Sequence, residues 1–522
     1  MNASISLRCP AALAGLLFAA AVSAAAPGAP AFESPNRTSA VPIPAGQVER
    51  AVAELDGLAL RLLARERIPG LAVAVVHGGK TVFAKGYGVR AAGSADAVDA
   101  DTVFQLASVS KPLGATVVAR QVGAGRIRWD TPVREHLPWF TLAEPWVGAH
   151  ATIGDLYAHR SGLPDHAGDV LEDLGYDRRE VLQRLRLLPL ASFRDSYAYT
   201  NFGLTAAAEA VAVASGKDWA ALSQAAIYEP LGMRSTSSRY ADFMARPNRA
   251  VGHVRRGGSF VRGTQPRDPD AQSPAGGASS SASDMARWLA FVLAEGKAPD
   301  GRQLVPAAAL LPALSPQSRS SAPPTADTRA GFYGFGFNVG TSPSGRIVLN
   351  HSGGFLLGAA TTIALVPSAD VGIVVLTNTE PFGAPETLAA EFTDLVQFGR
   401  IQRDWAPLFA ALFRPMSKPE GSLVGVARPA RPAAARPLAT YAGRYRNDLY
   451  GNLDVVASDN RLELHLGPRP VVHVLRHWDG DVFTFDLDGE NAPPGTISRA
   501  SFTDDAVVLE YYDEEGLGTF VR

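Results

Sequence analysis

A serine hydroxyl becomes a useful nucleophile only when something takes its proton. In Ser108-Val109-Ser110-Lys111 a lysine follows a serine at three residues. On a helix, positions i and i+3 share a face, so the Lys111 amine would meet the Ser108 hydroxyl there. With Ser108 at the helix start, Pro112 falls near the first turn, where its missing N–H does little harm. A free lysine, with a pKa of ~10.4, is almost wholly protonated at pH 7, so burial or a neighbouring acceptor must free its lone pair. Alone the match is weak: chance gives about half of one Ser-x-x-Lys match in a chain of this composition.

A second element lies about ninety residues later, at Tyr199-Thr200-Asn201. A phenol oxygen can relay the serine proton to a leaving group, and an asparagine amide can hold both Lys111 and a substrate carbonyl. Tyr445-Arg446-Asn447 and Tyr450-Gly451-Asn452 match the same pattern, so position has to decide between them. The third element is His351-Ser352-Gly353-Gly354, next to a strand. Its glycine pair lets backbone pass close to a bound acyl group and leaves an N–H for a developing oxyanion. His77-Gly78-Gly79 and His166-Ala167-Gly168 are also His-x-Gly matches and read as a hairpin turn and a loop. His159 reads as a residue that braces its loop, and Asp195 as a loop residue or a contributor of charge.

In order, spacing and placement the three elements resemble one family, that of class C β-lactamases, D,D-peptidases and the related esterases and D-aminopeptidases. Phe104-Gln105-Leu106-Ala107-Ser108, His159-Arg160-Ser161-Gly162-Leu163-Pro164, Glu229-Pro230-Leu231-Gly232-Met233 and Gly276-Gly277 strengthen the likeness, which covers roughly 46–400. The resemblance implies a serine hydrolase working through an acyl-enzyme on Ser108. Tyr199 and Lys111 would move the proton, and Asn201, His351 and Gly353 would bind substrate. The backbone N–H groups of Ser108 and Gly354 would form the oxyanion hole. His351 stands where the β-lactamases place a lysine, and with a pKa of ~6.5 it gives a weaker fixed charge for a substrate carboxylate. Peptides (D-amino-acid-containing ones included), amides or esters are therefore expected ahead of penicillins and cell-wall peptides. A catalytically silent binder of cell-wall peptides is the rival of another class.

The elements that must position these residues are legible too. Apolar residues at helical spacing from Val48 to Leu63 predict a helix closed by Pro69-Gly70. Leu71 to Val76 and Thr81 to Ala84 flank the turn His77-Gly78-Gly79-Lys80 and predict a hairpin. Helical patterns dominate from about Leu113 to Leu314, with a helix start at Ser281-Ala282-Ser283-Asp284. Strands return at Ile347 to Leu349, Thr361 to Val366 and Val371 to Leu376, before a helix from Pro385 to Val396. The fold expected is α+β: a class C β-lactamase-like antiparallel sheet flanked by helices, beside an α-rich domain. A small lipocalin-like C-terminal β-barrel would follow, with strands at Leu453 to Val456, Leu462 to Leu466, Val482 to Phe485 and Val507 to Tyr512. The boundaries expected are a signal peptide at 1–24, a flexible leader at 25–45, the hydrolase domain at 46–416, a Pro/Ala/Arg-rich linker at 417–437 and the barrel at 438–522.

Composition narrows the partners. The 522 residues carry 49 basic and 51 acidic side chains, which leaves no broad cationic surface for nucleic acid. The single cysteine, Cys9, lies inside the signal-like segment, so the processed chain would use neither disulfides nor thiol chemistry. Cleavage after Ala24 would leave a periplasmic or secreted protein with no membrane span. The ten histidines show no close-spaced ligand cluster and no Gly-x-Ser-x-Gly elbow occurs, so neither a metal nor another cofactor is expected and an α/β-hydrolase is disfavoured. The partner expected is a small-molecule or peptide substrate, and oligomeric state is not readable.

Overall fold

The computed structural model describes Ser39 and residues 41–458, 460–469 and 471–522. The signal-like segment 1–24 lies outside the described residues, as does most of the leader. The leader's described end is anchored: Ile43 packs on the helix-and-sheet core, and Arg346 Nη2 donates to the Val41 carbonyl at 2.7 Å.

Helix α1 (Gln47–Glu66) buries the stripe Val48, Ala51, Leu55, Leu58 and Leu62. It leads into β1 (Gly70–His77) and β2 (Lys80–Gly88), joined through Gly78 and Gly79 at φ 60° and 68°. Two successive left-handed residues are what a two-residue hairpin loop requires, and glycine meets that without strain. The α-rich region follows, with α2 (Ser110–Gly123), α3 (Asn201–Ala214) and α4 (Ala282–Leu293). Ser281 caps α4 by accepting from the Asp284 N–H, as its sequence predicts.

Six further strands complete the sheet: β3 (Ser318–Ser321), β4 (Gly331–Tyr333), β5 (Asn338–Thr341), β6 (Ile347–Phe355), β7 (Ala359–Val366) and β8 (Val371–Thr377). The order across the sheet is β2-β1-β8-β7-β6-β5-β4-β3, and every pairing is antiparallel. The first three of these six, β3 to β5, are short and partly exposed and carry no strong alternation, so sequence reasoning passed over them. Helix α5 (Ala384–Phe398) lies beside α1 on one face, against Leu71, Val73, Val75, Ile373 and Val375. Ala72, Ala74, Val76, Val374 and Leu376 face the α-rich side with Met285, Trp288 and Leu289 of α4. Side chains alternate across a strand, and with both faces covered β1 and β8 read as unbroken apolar runs.

Beyond α6 (Ala406–Phe413) the chain from 418 to 437 has no helix or strand, yet it does not hang free. Ile497 N donates to the Glu420 carbonyl at 3.0 Å and Gly480 N to the Ala433 carbonyl at 2.9 Å, so the segment is strapped along the barrel. Eight antiparallel strands, from Gly443–Asn447 to Thr519–Val521, close that barrel, with Arg446 opposite Val521 at the seam. Tyr441, Tyr445, Phe483, Phe485, Phe502 and Phe520 fill its interior. The strand expected through Tyr512 stops at Leu509. Glu510 to Tyr512 turns instead, with the Glu510 carboxylate accepting from the N–H groups of Ser422 and Arg499. Among the described residues no helix is long and apolar enough to cross a membrane.

Candidate active site

Ser108 sits in a single turn of 3₁₀ helix, Ala107–Val109, that runs straight into α2. Ala107 is held at φ 47°, a left-handed conformation that alanine seldom adopts and that marks a locally strained turn. Two anchors hold it: Leu106 N donates to the Ala278 carbonyl at 2.8 Å, and Ser110 Oγ accepts from Ala278 N at 2.9 Å. Phe355, Ala107 and Ala359 form a small apolar cluster at the base of the turn.

One helical turn on, Lys111 is fully buried. Its Nζ lies 3.0 Å from Ser108 Oγ, 2.7 Å from Asn201 Oδ1 and 3.0 Å from the Ala275 carbonyl. Burial disfavours the ammonium and outweighs the nearby Asp169 charge, so the amine is brought down to about 7.

Asn201 opens α3 and bridges the lysine to an acid. Its Nδ2 donates to Asp169 Oδ2 at 2.7 Å, and the same oxygen accepts from His166 Nδ1 at 2.8 Å. Burial works against a charged His166, but the hydrogen bond and charge of Asp169 prevail and lift it to about 9. The row Lys111, Asn201, Asp169, His166 is thus a continuous network, and sequence reasoning missed its last two members. The sequence places His166 in a loop and nothing more. Asp169 carries no local signal, since its importance comes from accepting from Asn201, 32 residues on, and from its charge acting on Lys111, 58 residues back.

The Tyr199 ring faces the lysine, with Nζ 4.5 Å from its centroid. Burial pushes the phenol well above its ordinary range, and the Ser108 hydroxyl beside it works the other way. His159 braces this segment: its Nδ1 accepts from Thr200 N at 3.1 Å, its carbonyl accepts from Ala198 N, and its ring lies 4.6 Å from that of Tyr199. His351 is 4% exposed and is not among the cleft-lining residues, whereas the next residue, Ser352, is. The Ser352 carbonyl can only accept, so His351 Nδ1 donates to it at 2.7 Å, and Nε2 accepts from the Tyr333 hydroxyl at 2.9 Å. Burial, then the Lys111 charge, lower this imidazole to about 3, and it is neutral. The expected substrate-facing role for His351 thus meets a side chain turned to Tyr333.

Strand β6 brings the glycines to the nucleophile. It pairs with β5 only as far as Asn350, so beyond that residue its edge faces the Ser108 turn instead of another strand. The approach is close enough that a Cβ on Gly353 would stand 2.2 Å from the Leu106 carbonyl and 2.9 Å from Ser108 N. Gly353 and Gly354 line a cleft of ≈ 320 Å³ together with Ser108, Tyr199, Asn201 and Asp169. The far wall comes from late in the chain: Phe413, Met416 and Glu420, then Glu490, Asn491 and Pro493 of the barrel. A larger recess of ≈ 740 Å³ between Trp139, Tyr176 and Arg178 contains none of the chemically matched groups. Among the described residues no group of three or more His, Cys, Asp or Glu is placed to hold a metal ion.

The competing motif matches fall elsewhere. Tyr445 is buried in the barrel, donating to the Tyr441 carbonyl at 2.9 Å, and Tyr450 stacks on Phe520. His77 ends β1 at the hairpin, and Asp195 is exposed and outside the cleft.

An antiparallel sheet between helical layers, with a serine–lysine helix start facing a glycine-bearing strand edge, defines the class. The chain belongs to the β-lactamase family, whose model, described as Beta-lactamase, matches residues 48–398. It is accordingly a serine hydrolase. A second model, a domain of unknown function (DUF3471), matches 427–516, across the strap and barrel. The chain is similar to an unguisins hydrolase from Aspergillus violaceofuscus, 28% identical over 476 residues, which is 84% of this chain and 82% of the relative. It also resembles a D-alanyl-D-alanine-carboxypeptidase/endopeptidase, AmpH, from Escherichia coli, at 26% identity over 42% of this chain and 56% of the relative. A crystal structure of a class C β-lactamase from Rhodobacter sphaeroides superposes with a TM-score of 0.53 at 25% identity, covering 67% of this chain and 99% of that one.

Proposed function

We propose that Ser108 is the nucleophile and Lys111 its base, and that the substrate is a peptide, D-residue-containing peptides included, or a simple amide or ester. The observation that carries this is the surroundings of Lys111. Two of its three neighbours, Asn201 Oδ1 and the Ala275 carbonyl, only accept hydrogen bonds, so a neutral amine gives its two N–H groups to them and turns its lone pair to the Ser108 hydroxyl. Ser108 Oγ then attacks the carbonyl carbon as its proton passes to Lys111. The oxyanion is met by the N–H groups of Ser108 and Gly354 at the positive end of α2. Tyr199, neutral because it is buried, relays the proton to the departing amine or alkoxide. Water enters by the same route, and the ester of Ser108 is hydrolysed.

Asn201 keeps one Nδ2 hydrogen for a substrate carbonyl after serving Asp169. The neutral, inward-turned His351 supplies no fixed charge for a substrate carboxylate, which favours carboxylate-free acyl groups over penicillins. Export by a segment ending at Ala24 would place the enzyme in the periplasm or outside the cell, and the N-terminal sequence of the secreted protein tests this.

The experiment compares a p-nitrophenyl ester, a D-alanyl amide, a D-Ala-D-Ala peptide and nitrocefin on wild type and Ser108→Ala, with fluorophosphonate labelling of both proteins. The reading requires labelling and turnover that vanish together in the variant. Turnover that survives Ser108→Ala sinks it, and a folded wild type that neither labels nor turns over any substrate points to a silent binding protein.

A further inference from the structure

We propose that Glu490 and Asn491 of the barrel clamp the two walls of the catalytic cleft, with Glu490 a positioning residue for the strand that carries the oxyanion donor. This rests on the reading of Gly354 given above.

The tip of the β6–β7 hairpin is residues 356–358, two positions past Gly354. Gly358 N donates back to the Phe355 carbonyl at 2.9 Å, while the N–H groups of Leu356 and Leu357 are received by a side chain of the barrel. Glu490 Oε1 accepts from Leu356 N at 3.0 Å and Oε2 from Leu357 N at 3.3 Å. Phe355, between Gly354 and this tip, packs on Ala107, the residue before the nucleophile. A displacement of the tip is therefore passed both to the oxyanion strand and to the Ser108 turn.

The adjacent Asn491 holds the opposite wall. Its Nδ2 donates to Asp173 Oδ2 at 2.9 Å and approaches the Asp169 carbonyl at 3.3 Å. These are the last and first residues of the short helix Asp169–Asp173, whose Asp169 carboxylate fixes Asn201. Two consecutive barrel residues thus span the cleft from the oxyanion side to the Asn201 side. Arg267 supports the arrangement. It lines the cleft with its guanidinium 5.3 Å from the Phe355 ring centroid, and it pairs with Glu172 of the same short helix.

Oxyanion stabilisation is a transition-state interaction, so loosening it lowers kcat more than it raises KM. Glu490→Ala frees both N–H groups and is expected to lower kcat about tenfold to a hundredfold, with KM within about threefold. Glu490→Gln keeps the acceptor for Leu356 but turns an NH₂ toward Leu357 N–H. It is expected to lower kcat about threefold to tenfold, with an unchanged melting midpoint. The full-length enzyme is assayed on the best substrate of the panel, with Ser108→Ala alongside. If Glu490→Ala does not fold, the isosteric glutamine variant decides. A kcat within twofold of wild type for folded Glu490→Gln and Glu490→Ala overturns the clamp, as does a rise in KM alone. Turnover that survives Ser108→Ala overturns the acyl-enzyme reading instead, whatever the Glu490 variants do.

Discussion

Lys111 Nζ lies 3.0 Å from Ser108 Oγ, and both of its remaining polar neighbours are carbonyl-type oxygens. That pairing makes the protonation state of one buried amine the control point of the site.

Lys111 is brought down to about 7 by burial, so it is protonated and inactive as a base below that pH. Turnover should rise about tenfold per pH unit up to about 7 and level off above it. His351, held at about 3, stays neutral across this range and contributes no limb of its own. Because the folded pKa lies below the ordinary lysine value of 10.5, the unfolded chain binds more protons between about 7 and 10.5, and stability should rise with pH across that window. A pH–rate profile and urea unfolding at several pH values measure both. Lys111→Arg, charged throughout, should lose about 10²–10⁴-fold in kcat, and a profile flat from pH 5 to 9 would count against Lys111 as the base.

The charge of Asp169 acts to raise Lys111, against burial. Asp169→Asn should therefore move the acid limb to lower pH even as it lowers the plateau, because a neutral amide oxygen accepts more weakly from Asn201 and His166 than the carboxylate oxygen they share. His166 is raised by that same acid, so the stability it contributes is present below about 6.5, its ordinary value, and is lost as pH rises through about 9. In the variant this dependence should shrink to what Asp165 still supplies, and titration of the His166 ring by NMR would show it moving down toward an unperturbed value.

Gly353→Ala should be far more damaging than its single methyl suggests. The added carbon would meet the Leu106 carbonyl at 2.2 Å, so either β6 or the Ser108 turn must move. A movement of about 1 Å is worth on the order of a hundredfold in rate, and overpacking costs about 1–3 kcal/mol of stability. Retained circular dichroism with lost fluorophosphonate labelling is the expected signature, and unimpaired labelling would contradict the close approach.

Tyr333→Phe separates support from chemistry. It removes the donor to His351 Nε2 while keeping the ring, leaving a buried acceptor unmet at a cost of about 1–3 kcal/mol. Chemical denaturation should register the loss while kcat changes little. A large fall in kcat with normal stability would instead place Tyr333 in the proton path.

Much of this was legible in the chain itself, for identifiable reasons. Helix α1, the Gly78–Gly79 hairpin, the Ser281 cap and the buried strands β7 and β8 rest on local periodicity and turn chemistry. The Ser108–Lys111 pair is legible because helix geometry converts a spacing of three into a contact. Asp169 and Glu490 were not legible, since each acts through partners far away in sequence and neither sits in a repeating pattern, and His166 reaches the network only through Asp169, three residues on. His351 shows a different limit. Its place in the motif could be read, but the inward turn of its ring depends on Tyr333, a residue of a three-residue strand that no periodicity announced. Among three Tyr-x-Asn matches only position selected Tyr199, and the burial of Tyr445 in the barrel and the stacking of Tyr450 on Phe520 give the physical ground for that choice.

The placement of β1 beside β8 has a kinetic consequence. Leu71 lies opposite Thr377 and His77 opposite Val371, so the inner edge of the first hairpin finds its partner only after some three hundred further residues have joined the chain. Until then that edge is an unpaired, apolar template for foreign strands. Closing so long a loop early is entropically unfavourable, and folds dominated by distant pairings assemble slowly. Refolding from denaturant should accordingly be slow and concentration-sensitive, with yield improving on dilution and the α-rich region, whose contacts are more local, forming first.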